Sequence, residues 1–134
     1  MEKVSFWIPL IPPSVNSIYK IHYAKRQVFL SNDARAFKNQ AKMFVPSVSV
    51  EKDELFSMTI EIAMDWKFKN GEWKKMDLQN LIKLIIDCIS EKWGICDSRI
   101  FNFCCKKTHR DGDEGIMVHM ANKGLMPQAL VWDF

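Results

Sequence analysis

The sequence predicts one α/β (α+β) domain in which a mixed β-sheet carries packed helices. Segments with strand and helix patterns alternate along the chain, residues 55–68 show a strict apolar/polar alternation, and residues 78–92 show apolar residues at helical spacing. The 134 residues are 48% hydrophobic and 12% aromatic, which suffices for one core, and no composition change marks a linker. We therefore treat residues 1–134 as a single domain that ends in an apolar tail, residues 122–134.

The first predicted elements are a strand and a hairpin. Residues Val4–Leu10 form a strand that must stop at Pro12 and Pro13, because proline cannot donate to a sheet ladder. A turn is expected at residues 14–16. Residues Ile21–Leu30 contain enough β-forming side chains for an irregular hairpin or loop. Its tip carries two basic residues, Lys25 and Arg26.

A helix and a long strand are predicted next. Ser31 or Asn32 can cap a helix over residues 33–44, and Pro46 follows its end. The expected buried stripe of this helix is Ala34, Phe37, Ala41 and Phe44. Residues 55–68 then form a strand with one apolar face. That face comprises Ile60, Ile62, Met64, Trp66 and Phe68, and Asn70-Gly71 marks the turn that follows.

The central helix is predicted over residues 78–92. Its apolar face comprises Leu78, Leu81, Ile82, Ile85, Cys88 and Ile89. Its opposite face groups three polar residues, Asn80, Lys83 and Asp87. Asp77 stands at the helix start, where backbone N–H groups favour a carboxylate, and Asp97 follows the helix after a short loop. Any surface helix shows a polar face, and Lys83 with Asp87 is also an ordinary i, i+4 pair.

The last predicted elements form a hairpin. Residues 100–108 are expected to be a strand, residues 111–115 a tight turn, and residues 116–121 the antiparallel partner of that strand. The tail from Asn122 is too apolar for a free end, so we expect it to dock on its own domain or on a second subunit.

Charge and cysteine content narrow the class of protein. The net charge is only +3, but the basic residues fall into three groups, each at predicted strand ends or turns. These groups are Lys20, His22, Lys25 and Arg26; Lys67, Lys69, Lys74 and Lys75; and Lys106, Lys107, His109 and Arg110. They bind phosphates if they converge, and are otherwise solvated turns.

The four cysteines contain no C-x-x-C pair, so reduced thiols are expected. The absence of a long apolar run or a leader pattern indicates the cytoplasm.

Two motifs resemble those of a known family. The run D-x-x-N-x-x-K-x-x-x-D, formed by Asp77, Asn80, Lys83 and Asp87 and followed by Asp97, resembles the core motif of the RusA-type Holliday junction resolvases. The segment P-P-S-V-N-S-I-Y, residues 12–19, resembles the other marker of that family. The two motifs stand in the same order and at a similar separation as in the family.

The resemblance implies metal-dependent phosphodiester hydrolysis of four-way DNA junctions in recombination and repair. It implies a homodimer, Mg²⁺ as the cofactor with Mn²⁺ as a substitute, and a phage or prophage setting. Asp77 and Asp97 would be catalytic metal ligands, with Gln79 as a further ligand and Lys83 acting on the scissile phosphate. Asn80 and Asp87 would hold these groups in place. The residues expected to contact DNA are Lys25, Arg26, Lys69, Lys74, Lys75, Lys106 and Lys107.

One position departs from the family pattern. The family has D-x-D-N at the helix start, whereas this chain has Asp77-Leu78-Gln79-Asn80. Gln79 can be a neutral ligand, Asp65 or Glu61 on the preceding strand can supply the missing charge, or the protein binds junctions without cutting them. An interaction module that uses its apolar tail is the alternative from outside the nucleic-acid field.

Overall fold

Six strands and two helices make up the part of the chain that the computed structural model describes. The structure describes residues 3–13, 19–22, 24–51, 54–75, 78–110 and 112–122. The elements are β1 (Lys3–Ile8), β2 (Tyr19–His22), β3 (Gln27–Leu30), α1 (Asn32–Lys42), β4 (Phe56–Met64), α2 (Leu78–Trp93), β5 (Ile100–His109) and β6 (Gly115–Asn122). The turn expected at residues 14–16, Asp77 and residues 123–134 of the tail lie outside the described residues.

The main sheet is mixed, as the sequence predicted. Its strand order is β1-β6-β4-β5, with β4 parallel to β5 and antiparallel to β6, while β2 and β3 form a separate antiparallel hairpin. The predicted hairpin tip is confirmed, because Lys25 and Arg26 lie in the turn between β2 and β3. The fold is therefore a single α+β domain with a four-stranded sheet and two helices.

The predicted hairpin between residues 100–108 and 116–121 is wrong. Both segments are strands, but β5 and β6 lie on opposite sides of β4 and do not pair with each other. Almost every residue of β4 is buried, including Met58, Ile60 and Ile62. A strand buried in this way is most stable in the centre of a sheet, so β4 takes the position between β5 and β6.

The end of β4 differs from the predicted strand. Met64 and Trp66 are buried as expected, but β4 stops at Met64 and Phe68 is 53% exposed. The indole N–H of Trp66 donates to the Thr108 carbonyl oxygen at 3.1 Å, and the chain turns directly afterwards. Gly71 has φ +88 in that turn, which confirms the turn predicted at Asn70-Gly71 and explains the need for glycine.

The α1 helix follows its predicted spacing except at its end. Ser31 is the N-cap, and its hydroxyl oxygen accepts a hydrogen bond from the Ala34 N–H at 3.2 Å. Ala34, Phe37 and Ala41 are buried, as predicted. The prediction for Phe44 is wrong, because α1 ends at Lys42 and Phe44 is 43% exposed beyond it.

The α2 helix supplies much of the core. Four of the six predicted apolar-face residues are fully buried, namely Leu81, Ile85, Cys88 and Ile89. Leu84 is also buried, which the predicted stripe did not include, while Ile82 and Leu78 are only half-buried. The buried stripe is therefore rotated toward Leu84.

The four cysteines are all free, as predicted. Cys88 is buried, Cys104 and Cys105 are half-buried, and Cys96 is exposed. Burial raises the pKa values of the Cys88 and Cys105 thiols to about 11. No helix in the described ranges is long and apolar enough to span a membrane.

Candidate functional site

An acidic pocket lies between the C-terminal half of α2 and the loop that follows it. It has a volume of about 410 Å³ and is lined by Asp87, Ser90, Glu91, Gly94, Ile95, Cys96 and Asp97. Gly94 has φ +68 and reverses the chain after Trp93, and the Ile95 N–H donates to the Ser90 carbonyl oxygen at 3.0 Å. This turn brings the chain back along α2, so that Asp97 lines the same pocket as Asp87.

The electrostatics of Asp87 connect the residues of the predicted motif. Asp87 is half-buried, and this burial raises the pKa of its carboxyl group, against the lowering effect of the Lys38 and Lys83 charges. The nearby Glu91 and Asp97 carboxylates raise the pKa further. The structure thus brings Lys83, Asp87 and Asp97, which the sequence selected, into one electrostatic environment. Lys38 and Glu91 belong to that environment but were not among the predicted site residues.

The carboxylate of Asp97 is open to solvent. Asp97 begins a 3₁₀ turn that runs to Arg99, and it is exposed. The Cys96 thiol lies 3.8 Å from its Oδ1 and accepts a hydrogen bond from the Ser98 hydroxyl at 3.1 Å. Cys96 is therefore a pocket residue that the motif did not indicate, since its only sequence signal is its position next to Asp97.

The pocket offers the type of ligand that a hard divalent cation prefers, but its described residues offer too few of them. Carboxylate oxygens are the ligands that Mg²⁺ prefers. However, within the part of the chain that the structure describes, no group of three or more His, Cys, Asp or Glu residues could hold a metal ion. Asp77, the principal predicted ligand, lies outside the described residues, and so does the side chain of Asn80.

Gln79 lies at a different level of α2 from the acidic pocket. It is exposed in the first turn, and the eight residues from Gln79 to Asp87 correspond to about 12 Å along the helix axis. Helical side chains all lean toward the N-terminus, so this tilt leaves the axial separation of Gln79 and Asp87 unchanged. Two oxygens that bind one Mg²⁺ are at most about 4 Å apart. Gln79 and Asp87 of one chain are therefore too far apart along α2 to bind one ion together.

Glu61, the acid of β4, is directed away from α2. Ile60 and Ile62 point into the core, so Glu61, between them, lies on the opposite face of the sheet. There it forms an ion pair with Lys106 at 3.2 Å and accepts a hydrogen bond from Thr108 at 3.4 Å.

Asp65, which the sequence placed on the same strand, lies just past the end of β4 and contacts the turn that follows. Its Oδ1 accepts a hydrogen bond from the Lys67 N–H at 2.9 Å and lies 3.8 Å from the Nδ1 of His109. The contacts of Glu61 and Asp65 are thus with β5 and this turn.

Two of the three predicted basic groups converge. The ring of Trp73 lies 5.7 Å from that of His109, and the Lys67 amine lies 4.7 Å above the Trp73 ring. The Lys107 amine lies 4.7 Å above the Trp66 ring. This surface, which we call the basic end, comprises Lys67, Lys69, Lys74, Lys75, Lys107, His109 and Arg110. Lys106 is occupied by Glu61, and Lys25 and Arg26 belong to the β2–β3 hairpin.

The basic end and the start of β5 lie at opposite ends of β4. Met64 pairs with His109, while Phe56 pairs with Ile100, which follows the 3₁₀ turn of Asp97. The chain leaves β4 at the basic end, passes along α2 and returns at Asp97. The first turn of α2 is therefore near the basic end, and the acidic pocket is nearer the other end of the helix.

The fold and charge distribution define a small α+β protein with a carboxylate pocket and a cationic surface of the kind that contacts nucleic acid. The family model described as Endodeoxyribonuclease RusA matches residues 9–121, which is most of the chain. The chain belongs to the RusA endodeoxyribonuclease family, and the predicted resemblance is confirmed. Comparison with curated protein sequences gives no match.

Proposed function

We propose that the protein is a Mg²⁺-dependent, structure-specific endodeoxyribonuclease that resolves four-way DNA junctions in recombination and repair. Family membership establishes the endodeoxyribonuclease class. The observation that carries the proposal is the acidic pocket, where Asp87 and Asp97 lie together with the charge of Lys83 in range. We also propose a cytoplasmic protein of phage or prophage origin.

The proposed roles follow from the chemistry of each side chain. Asp97 and Asp77 hold the metal ion, for which Mn²⁺ can substitute, and Gln79 adds a neutral oxygen. When bound, the ion supplies Lewis-acid stabilisation of the phosphate and a more acidic water. Lys83 presents a positive charge to the non-bridging phosphate oxygens, where negative charge increases in the transition state.

Asp87 and Asn80 are proposed to hold these groups in place. Asp87 is suited to this task because it is half-buried and close to both Lys83 and Asp97. A carboxylate in that position orients the lysine amine through its charge and keeps it near the phosphate.

We propose a homodimer whose two sites are each shared between subunits. The separation of about 12 Å between Gln79 and Asp87 along α2 supports this arrangement. If the α2 helices of the two subunits run antiparallel across a two-fold axis, the first turn of one helix meets the acidic pocket of the other. Asp77 and Gln79 of one subunit would then complete the ligand set that begins with Asp97 of its partner.

The basic end is the proposed main DNA contact. Lys69, Lys74 and Lys75 are partly or fully exposed there, and Lys107 lies beside them on β5. In the shared-site dimer the basic end of one subunit approaches the acidic pocket of the other. Lys25, Arg26 and Lys106 are proposed as additional contacts on the flanks.

A second candidate function is junction binding without cleavage. The observation that favours it is Gln79, which brings no negative charge to the first turn of α2, while Glu61 and Asp65 are engaged elsewhere. This candidate predicts junction binding that does not depend on metal, and a gain of cleavage in Gln79→Asp.

Cleavage of a synthetic four-way junction at low salt tests the proposal. The purified protein is incubated with Mg²⁺ or with a chelator, and a linear duplex of equal length is the matched substrate. Paired nicks that require both the metal and the junction are the expected result. Metal-independent binding without cleavage would favour the second candidate, and failure to bind or cut the junction would refute the proposal.

A further inference from the structure

A second concave site, which we call the α1 groove, lies beside the acidic pocket. Its volume is about 180 Å³, and its lining residues are Leu30, Arg35, Lys38, Asn39, Lys42 and Glu91. Arg35, Lys38 and Lys42 come from one side of α1, at the i, i+3 and i+7 positions that share a helical face. The sequence suggested only a structural role for this helix.

The α1 groove is joined to the acidic pocket through Glu91. Glu91 lines both sites, and it lies one helical turn after Asp87 on α2. Lys38 also reaches both sites, because its amine binds Glu91 Oε1 at 2.5 Å and its charge acts on Asp87. The two sites therefore adjoin at Glu91.

The groove keeps a positive charge despite its internal ion pairs. The Glu91 carboxylate accepts from both Lys38 and Lys42, and these hydrogen bonds lower the pKa of Glu91. Glu91 is thus ionised near neutral pH, but it faces three cations. Lys38 is held firmly, with 13% of its side chain exposed, while Lys42 is 31% exposed and Arg35 is exposed.

A phosphodiester group fits this chemistry. It is a small anion that only accepts hydrogen bonds, and arginine and lysine donors with the amide of Asn39 are complementary to it. The groove is also much smaller than the acidic pocket, as expected of a subsite for a single group.

We propose that the α1 groove is a phosphate subsite that holds the DNA backbone next to the bond cut at the acidic pocket. The inference rests on the proposed function and adds a contact that no motif residue supplies. The competing explanation is that Lys38 and Lys42 only fasten α1 to α2 through Glu91. A change at Arg35 distinguishes the phosphate subsite from this structural explanation, because the Lys38–Glu91–Lys42 cluster does not include Arg35.

The decisive variant is Arg35→Ala, with Lys3→Ala as the matched control. Lys3 is exposed on β1, on the sheet face away from the helices, and its removal changes the net charge by the same amount. Junction binding is measured by fluorescence anisotropy in chelator over a range of salt concentrations. Arg35→Ala should weaken binding by ~3- to 10-fold and lower the slope of log affinity against log salt by about 1. Lys3→Ala should change neither quantity.

Glu91→Gln should change junction affinity in the opposite direction to Arg35→Ala. Glu91 is the one anion among the described residues that line the groove, and its removal should strengthen junction binding by ~3-fold if the groove holds phosphate. A purely structural cluster would instead give a lower melting temperature with unchanged affinity, which would overturn the inference.

The results separate the inference from the proposed function. If the parent protein cuts junctions and Arg35→Ala binds them as tightly as Lys3→Ala does, the phosphate subsite is overturned. The proposed nuclease function is then unaffected. A parent protein that binds neither junction nor duplex refutes both. An Arg35→Lys variant that restores the salt slope would show that charge, and not the arginine shape alone, is required.

Discussion

Two inactive subunits should restore cleavage when they form one dimer. Asp77→Asn and Asp97→Asn each remove a proposed metal ligand, so either variant alone should cut no junction. In a shared site, a mixed dimer has one site with both substitutions and one site with none. The intact site should therefore cleave, even though neither subunit has a complete set of ligands.

The expected magnitude follows from the geometry of α2. About 12 Å separates Gln79 from Asp87 along the helix, and on this basis we propose that the first turn of α2 serves the acidic pocket of the partner subunit. Random pairing of equal amounts gives roughly half mixed dimers, each with one working site of two, so about one quarter of the parent sites should be active. The product should be singly nicked junctions instead of paired cuts.

The assay is single-turnover cleavage after the two variants are unfolded together and refolded, with native mass spectrometry to confirm mixed dimers. The reciprocal control mixes the parent protein with the Asp77→Asn/Asp97→Asn double variant. In a shared site, every site of that mixed dimer carries one substitution and should be inactive. Parent homodimers in the reciprocal mixture make paired cuts in either case. Singly nicked junctions from its mixed dimers, with no cleavage by the first mixture, would refute the shared site and place all ligands within one chain.

Three further results are expected. Lys83→Ala should lower the cleavage rate about 100-fold with little change in junction affinity, because its charge acts mainly in the transition state; a change in affinity alone would make Lys83 a simple phosphate contact. Asp87→Asn should raise the melting temperature near pH 7. Burial raises the Asp87 pKa from 3.8, so the Asp87 contribution to stability is present below that value and is lost as the pH rises through the folded pKa; an advantage for Asp87→Asn that persists at low pH would contradict this. Thiol labelling followed by mass spectrometry should modify the exposed Cys96 first and Cys88 and Cys105 slowly, since burial raises their pKa values to about 11; equal rates would contradict that order.

The periodic parts of the fold were predictable from the sequence. Period-two alternation located β4, and helical spacing located α2 together with most of its buried face. These patterns are local, because each residue's burial follows from its place on one element. The predicted burial of Phe44 and Phe68 was wrong, because an apolar residue just past the end of an element no longer shares its periodicity.

The pairing of strands was not predictable in the same way. β5 and β6 are close in sequence and separated by a turn, which favours a hairpin, but β4 inserts between them. That outcome depends on which strand is most completely buried, a property of the whole sheet.

The candidate site shows the same division between local and long-range information. The motif identified Lys83, Asp87 and Asp97, whereas Lys38 and Arg35 arrive from α1 through packing that no spacing along α2 encodes.

The pairing of β1 with β6 also constrains how the chain is made. Lys3 pairs with Ala121, so β1 finds its partner only when nearly all of the described chain has been synthesised. Until then β1 is an unpaired strand, and β4 must likewise wait for both of its neighbours. The sheet can therefore close only after β6 has been synthesised, and the waiting strands are where a chaperone would protect the nascent protein from aggregation.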